Sequence, residues 1–362
     1  MATDDGTYRY KQEHGDDFGR TYFRLFDGLA VSSIGVGTYL GEPTDAVDSQ
    51  YRDAIATALE GGINVVDTAI NYRCQRSERA VGRAIEDADV DRDAVFVSTK
   101  GGFVPFDGER PDDPGEYVKR EFVDTGLVDR EDLARGSHAI APDFVDAMLD
   151  RSLENLGVDE IDLYYVHNPE TQLHARSRED VYDQLEATFT RLEERAAAGD
   201  ISKYGVATWN AFRVPEGDDR YLSLSEIISR ARAAAKAAEN TATHLRAIQL
   251  PFNVVMADAF TVESQQGPEG PQSPLWFAHE AGLNVFTSAS IAQGDLAREL
   301  PAEVAERLEG DSTVQRAINF ARSAPGVTSS LVGMSDPEHV AENLGAGRFD
   351  PMGADAFDRV FE

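Results

Sequence analysis

Val95-Phe96-Val97-Ser98-Thr99-Lys100 is a run of β-branched and aromatic residues that closes on a lysine. Asn64-Val65-Val66-Asp67, running on to Tyr72, and Leu163-Tyr164-Tyr165-Val166-His167 have the same form, each reaching an ionisable group. Runs of this length and composition read as strands buried on both faces of a parallel sheet. In parallel α/β proteins the carboxyl ends of the strands are where chemistry is built. Asp67, Tyr72, Lys100 and His167 are therefore expected to meet at one mouth.

Working outward, strands alternate with helical patterns along the whole chain. A first strand is expected at 31–36, ending in Gly37-Thr38, followed by a helix at 45–60 that Gly61-Gly62 stops. The second strand, 63–67, leads to a helix near 77–86, and Lys100 closes the third strand. A helix over 142–156 carries Phe144, Val145, Met148, Leu149, Leu153 and Leu156 on one side and stops at Gly157. The fourth strand ends at His167, before a long helix at 178–198. Strands at 202–208, 246–250, 284–288 and 329–332 complete the series. Helices near 224–239, 274–281 and 312–322 separate them, and a last helix begins at Asp336-Pro337. Eight βα units with right-handed crossovers close into one (β/α)8 TIM barrel, here a single unit over 1–362. An open doubly wound sheet is the competitor, but no G-x-G-x-x-G turn follows any strand and there is no Walker pattern.

Three insertions, 101–141, 210–223 and 257–273, follow the third, fifth and sixth strands. They emerge at the carboxyl face and are expected to build the pocket walls. The first carries Phe103, Phe106, Tyr117, Phe122 and Leu127, more apolar residues than a disordered linker holds.

Composition narrows the function classes. The chain has 34 basic and 65 acidic residues, a net charge of −31, and Arg outnumbers Lys 29 to 5. Such a field repels nucleic acid and anionic membranes, so neither is an expected partner. Dense carboxylate with scarce lysine resembles proteins of high-salt cytoplasm. No apolar stretch approaches the ~20 residues of a membrane helix. The acidic start Met1-Ala2-Thr3-Asp4-Asp5 is unlike a signal peptide, so a cytoplasmic location is expected. The single cysteine, Cys74, excludes an internal disulfide and reads as an incidental loop residue. The acidic run Glu86-Asp87-Ala88-Asp89-Val90-Asp91 reads as a solvated face, and the seven histidines form no HxH or HxxxH pair, so no metal is expected.

An Asp–Tyr–Lys–His set has a definite chemistry. A tyrosine with its ordinary pKa of ~10 donates poorly at neutral pH. A lysine beside it favours the phenolate and lowers that value, and a carboxylate keeps the lysine charged and in place. A histidine opposite can orient a carbonyl and relay a proton. Together they polarise a carbonyl oxygen and protonate it as a nucleophile reaches the carbon. No serine or cysteine nucleophile with a base partner is evident, so the expected nucleophile is a hydride from a bound cofactor.

Gly35-Val36-Gly37-Thr38, Asn64-Val65-Val66-Asp67-Thr68-Ala69 with Tyr72 and Ser77-Glu78, Ser98-Thr99-Lys100 and Val166-His167-Asn168-Pro169 together carry a resemblance. The chain resembles the aldo-keto reductase superfamily over most of its length. Phe23-Arg24-Leu25 through Leu29-Ala30-Val31 resembles that family's barrel-floor hairpin, so 1–30 is read as an N-terminal tail and this hairpin. The resemblance implies reduction of a small-molecule aldehyde or ketone to an alcohol by a nicotinamide dinucleotide, usually NADPH, with NADH the alternative. It makes Tyr72 the general acid/base, Lys100 and Asp67 its pKa-lowering pair, and His167 the carbonyl-orienting donor.

It also places Gly37, Thr38, Asp67, Thr208, Gln249 and Ser288 against the cofactor. Gly333-Met334-Ser335 and Glu342-Asn343 would lie along the adenosine phosphate and adenine. The chain departs from the family at Ala207-Thr208, where Ser-Asn is common, and at Ser288, where many members stack an aromatic; Trp209 is the candidate replacement ring. Residues 333–343 hold no Lys or Arg for a 2′-phosphate, and His339 is the only candidate there. The alternative function is a dinucleotide-binding sensor or regulatory subunit with little turnover.

Overall fold

Strict alternation along each buried run decides which side chains face the barrel axis. The computed structural model describes residues 1–361. Its N-terminus forms a helix, Asp4–His14, and then a hairpin of β1 (Phe23–Phe26) and β2 (Leu29–Ser32). Eight strands follow with helices between them: β3 (Ile34–Gly37), β4 (Val65–Asp67), β5 (Phe96–Gly101), β6 (Ile161–His167), β7 (Ile201–Ala207) and β8 (Leu245–Pro251) come first. A small hairpin, β9 (Gln265–Gly267) and β10 (Gly270–Gln272), precedes β11 (Asn284–Ser288) and β12 (Val327–Gly333). β3 to β8, β11 and β12 form a closed parallel barrel in sequence order, with β12 sealing against β3. The expected (β/α)8 fold is what the chain adopts.

Val65, Phe96, Leu163, Tyr165, Phe286 and Leu331 point inward and form the barrel's own core. Phe26 and Val31 of the hairpin enter it from below, with the Phe26 ring 4.9 Å from Phe96 and 5.8 Å from Phe286. The alternate residues Val66, Val97, Tyr164 and Val166 pack outward against the helices. That period carries Asp67, Lys100 and His167 to the inner face at the carboxyl end.

One expectation fails near the N-terminus. The apolar run at 31–36 is not one strand: Val31 and Ser32 close the floor hairpin, and the barrel strand starts at Ile34. The break has a cause, since Ser33 bonds backward from its N–H to the Tyr22 carbonyl. The N-terminal tail forms a packed helix. Thr3 caps the Asp4–His14 helix, and Tyr10 buries its ring while its hydroxyl donates to the Leu59 carbonyl. Among the described residues no helix is long and apolar enough to cross a membrane.

Candidate active site

At the carboxyl mouth the strands leave a cavity of about 850 Å³. Asp67, Tyr72 and His167 line it, and Lys100 lies fully buried beneath. The Lys100 ammonium donates to Asp67 Oδ2 at 2.5 Å and to the Thr68 carbonyl at 2.7 Å, and sits 5.0 Å from the centre of the Tyr72 ring. Asp67 Oδ1 accepts from Ser98 Oγ at 2.7 Å and from Gln249 Nε2 at 3.0 Å. The Tyr72 and His167 rings face each other edge-on at 6.0 Å. The structure thus brings all four predicted residues together.

Burial and charge compete in setting the protons. Burial pulls the Lys100 ammonium down, but the Asp67 carboxylate and then Tyr72 outweigh it, so its pKa is raised and the group stays charged. At Tyr72 burial is the larger influence and Lys100 only opposes it, leaving the phenol above its usual value of 10.0. The lowered tyrosine pKa read from the sequence is therefore corrected: desolvation wins, and Tyr72 is a neutral phenol at physiological pH. That is the protonation state an acid requires. His167 is held well below its usual range, first by burial and then by the Lys100 and His138 neighbours, so its ring is neutral.

The strands position the other predicted residues unevenly. Gly37, Thr38, Thr208, Gln249, Ser288, Gly333, Ser335, Glu342 and Asn343 all line the cavity. Met334 does not; its side chain is fully buried in the core between barrel and helices, since alternation turns it away from its neighbours. An added Cβ on Gly333 would meet nothing within 4 Å, leaving open space over that backbone. The buried Thr208 hydroxyl has no hydrogen-bond partner and faces the same space. An unpaired buried hydroxyl is costly and suits a polar ligand, so these residues fit a nicotinamide amide and its phosphates. Gln249 is shared, because its amide already supports Asp67.

The wall assignment also needs correcting. Phe103 of the first insertion lines the cavity, but no residue of 210–223 or 257–273 does. Those two segments bind each other instead. Gln265 Oε1 accepts from the Leu224 N–H at 2.7 Å while its amide and the Ser264 hydroxyl reach the Phe212 carbonyl. The wall is made by the loop after β11, through Ile291, Gln293 and Arg298, and by Tyr39, Leu40, Asn71 and Trp209. Arg298 lies outside the 333–343 stretch in which the resemblance places a phosphate-binding cation; His339 from that stretch lines the cavity too. Trp209 is 40% exposed at the rim, its backbone N–H donating to the buried Glu170 carboxylate at 2.8 Å.

The profile of the Aldo/keto reductase family matches residues 33–226, more than half of the chain. The chain belongs to the aldo/keto reductase family. A D-threo-aldose 1-dehydrogenase from a Pseudomonas species is 26% identical over 338 residues, covering 87% of this chain and 89% of that one. A Schizosaccharomyces pombe protein named for a voltage-gated potassium channel beta subunit is 25% identical over 335 residues, 89% of this chain and 86% of the other. The crystal structure of an aldo-keto reductase from Klebsiella pneumoniae in complex with NADPH superposes with a TM-score of 0.61 at 18% identity, over 95% of this chain and 94% of that one.

Proposed function

We propose that this reductase-family chain reduces an aldehyde or ketone to an alcohol with a nicotinamide dinucleotide, Tyr72 acting as general acid. The observation that carries this reading is the buried Lys100–Asp67 pair set under Tyr72 in the cavity that His167 also faces. Neutral His167 holds the substrate oxygen by a hydrogen bond, and Tyr72 gives that oxygen its proton. Lys100 stabilises the phenolate that remains, and Asp67 keeps Lys100 charged. When bound, the nicotinamide ring supplies the hydride.

Thr208 and Gln249 would hold the carboxamide, with Gly333, Ser335, Glu342 and Asn343 along the adenosine half. Arg298 gives NADPH its support: it is a guanidinium on the cavity wall, with no ion pair among the described residues, and phosphate is its natural ligand. The Klebsiella relative solved with NADPH favours the same cofactor. The second reading, a dinucleotide-binding regulatory subunit with little turnover, is favoured by the likeness to the protein named for a channel subunit.

Fluorescence titration with NADPH and NADH in molar salt, followed by assay over a panel of carbonyls, tests both. Carbonyl reduction that falls by about 10²–10⁴-fold in Tyr72→Phe, with cofactor binding unchanged, is the expected result. Tight binding with no turnover across the panel would move the conclusion to the regulatory reading. Equal turnover in Tyr72→Phe would remove Tyr72 as the acid.

A further inference from the structure

The long insertion after β5 does more than wall the cavity, because its returning end grips the backbone of His167. Residues on its two arms pair as an antiparallel bridge, Phe103 with His138, tied by the Ala139 N–H to the Gly102 carbonyl at 2.8 Å and the Val104 N–H to the Ser137 carbonyl at 2.8 Å. This zip carries the fully buried His138 ring under the end of β6. There its Nε2 lies 2.7 Å from the His167 carbonyl oxygen, and its Nδ1 lies 2.9 Å from the Gln172 amide nitrogen.

The tautomer follows from the partners. The Gln172 amide nitrogen also reaches two carbonyls, those of His138 at 2.8 Å and Asp132 at 3.3 Å, so that end of the side chain is the donor. His138 Nδ1 must then accept, which leaves the proton on Nε2, donated to His167. The contact is close-packed. The Phe103 ring sits 4.8 Å from His138 and 5.1 Å from His167, edge-on to both. A Cβ on Gly102 would come within 2.6 Å of the His167 carbonyl oxygen, so only glycine lets the strand pass there. Immediately beyond, Asn168 turns into the left-handed region at φ 49°, which leaves the His167 carbonyl at the point where the regular strand ends.

We propose that His138 is a positioning residue: its Nε2–H, oriented by Gln172, anchors the His167 backbone and, with Phe103, sets the aim of the His167 ring into the cavity. The inference rests on the reading of His167 as the group that holds the substrate carbonyl. It makes the aim of that group depend on the 101–141 insertion, whose own Phe103 is part of the cavity wall. Substrate shape sensed by the insertion and carbonyl orientation are thereby one mechanical unit.

The test uses the full chain, labelled with ¹⁵N in histidine. Ring-nitrogen spectra should show His138 as a neutral ring protonated on one nitrogen and unchanged between about pH 5 and 8, and His138→Leu should shift the His167 signals while the remaining histidines stay in place. Unmoved His167 signals would overturn the proposal. In turnover, His138→Leu should lower kcat by roughly 10- to 100-fold, as a misplacement near 1 Å does, with the NADPH dissociation constant unchanged.

His138→Gln, which keeps a donor near the Nε2 position, should recover most of that loss; equal losses in both variants would refute a positioning role. Should His138→Leu fail to fold, Gln172→Met replaces it, with His167 signals expected to move and kcat to fall while His138→Gln retains both. A wild-type protein with no turnover on any carbonyl removes the proposed function, whereas the histidine spectra still decide the link from His138 to His167.

Discussion

Lys100 is the residue at which catalysis and stability meet. A fully buried ammonium is tolerated only when paired, and here it has one carboxylate and one carbonyl. Lys100→Met should therefore do two separable things. It removes the charge that stabilises a Tyr72 phenolate, and it leaves the buried Asp67 carboxylate without its cation, a loss of about 3–5 kcal/mol. Urea unfolding in molar salt measures the second, and the variant should unfold at lower urea with m unchanged; an unchanged midpoint would mean Asp67 is not held by this pair. The four mouth residues were legible in sequence because a period of two on a buried strand fixes the face of every side chain. Arg298 was not, since the short helix Asp295–Arg298 follows left-handed turns at Ala289, Ala292 and Gln293 that no periodic pattern encodes. Met334 lies in the core rather than at the cavity for a related reason: three consecutive residues do not share one face, and its side chain turns away from Gly333 and Ser335, which line the cavity.

Between β4 and the helix Arg76–Asp87, the chain makes its tightest manoeuvre directly after Tyr72. Arg73, Cys74 and Gln75 have φ of 47°, 57° and 68°, three successive non-glycine residues in the left-handed region. Each such residue is strained by ~1–2 kcal/mol and persists only where contacts over-determine it. The contacts are present. The buried Arg73 guanidinium donates to Asp48 at 2.5 Å and to the Glu42 carbonyl at 3.1 Å, the Gly108 N–H donates to the Cys74 carbonyl, and Gln75 Nε2 donates to the Phe106 carbonyl. Tyr72 is thus aimed by a turn clamped between the helix Asp45–Glu60 and the first insertion. Arg73→Ala should release one side of that clamp, costing roughly 1.5–3 kcal/mol for hydrogen bonds to a charged group and lowering kcat while cofactor affinity holds. A variant with full kcat would show that the turn keeps its shape without Arg73. The helices themselves were the most legible elements, because 45–60, 142–156 and 178–198 carry periodic apolar faces and terminal glycines. The Asp4–His14 helix escaped notice although its signals were present: Thr3 before it, Asp4 and Asp5 in its first turn, Lys11 and His14 in its last.

Across the whole molecule, a charge of −31 must be reconciled with a closed fold. Arginine does much of this, because one guanidinium offers donors in several directions. Arg230 pairs with Glu179, Asp183, Glu186 and Glu226, joining two neighbouring barrel helices, and Arg195 gathers Asp146, Asp150 and Asp200 in the same way. The carboxylates left over repel one another, and molar salt, with a screening length near ~3 Å at 1 M, suppresses that repulsion. In such salt the remaining pH dependence belongs to buried groups rather than to the surface. Burial holds His138 down at about 4, against 6.5 when free, so between those values the unfolded chain takes up a proton that the folded chain refuses. Glu193 is depressed from 4.5 to about 2; burial opposes this, but bonds from His244, Thr243 and Asn240 prevail. Stability rises with pH wherever the unfolded state binds more protons. Unfolding free energy should therefore decline below pH 6.5 through a window that His138 shares with His167, which burial also holds down, and decline further between 4.5 and 2 through the Glu193 window. Urea titrations at fixed molar salt measure it, with Glu193→Gln expected to make the lower limb shallower and His138→Gln the upper, where His167 accounts for the remainder. A profile in wild type that stays level from 6.5 down to 4.5 would mean that His138 and His167 take up protons in the folded chain as readily as in the unfolded one, and that burial does not hold their rings neutral.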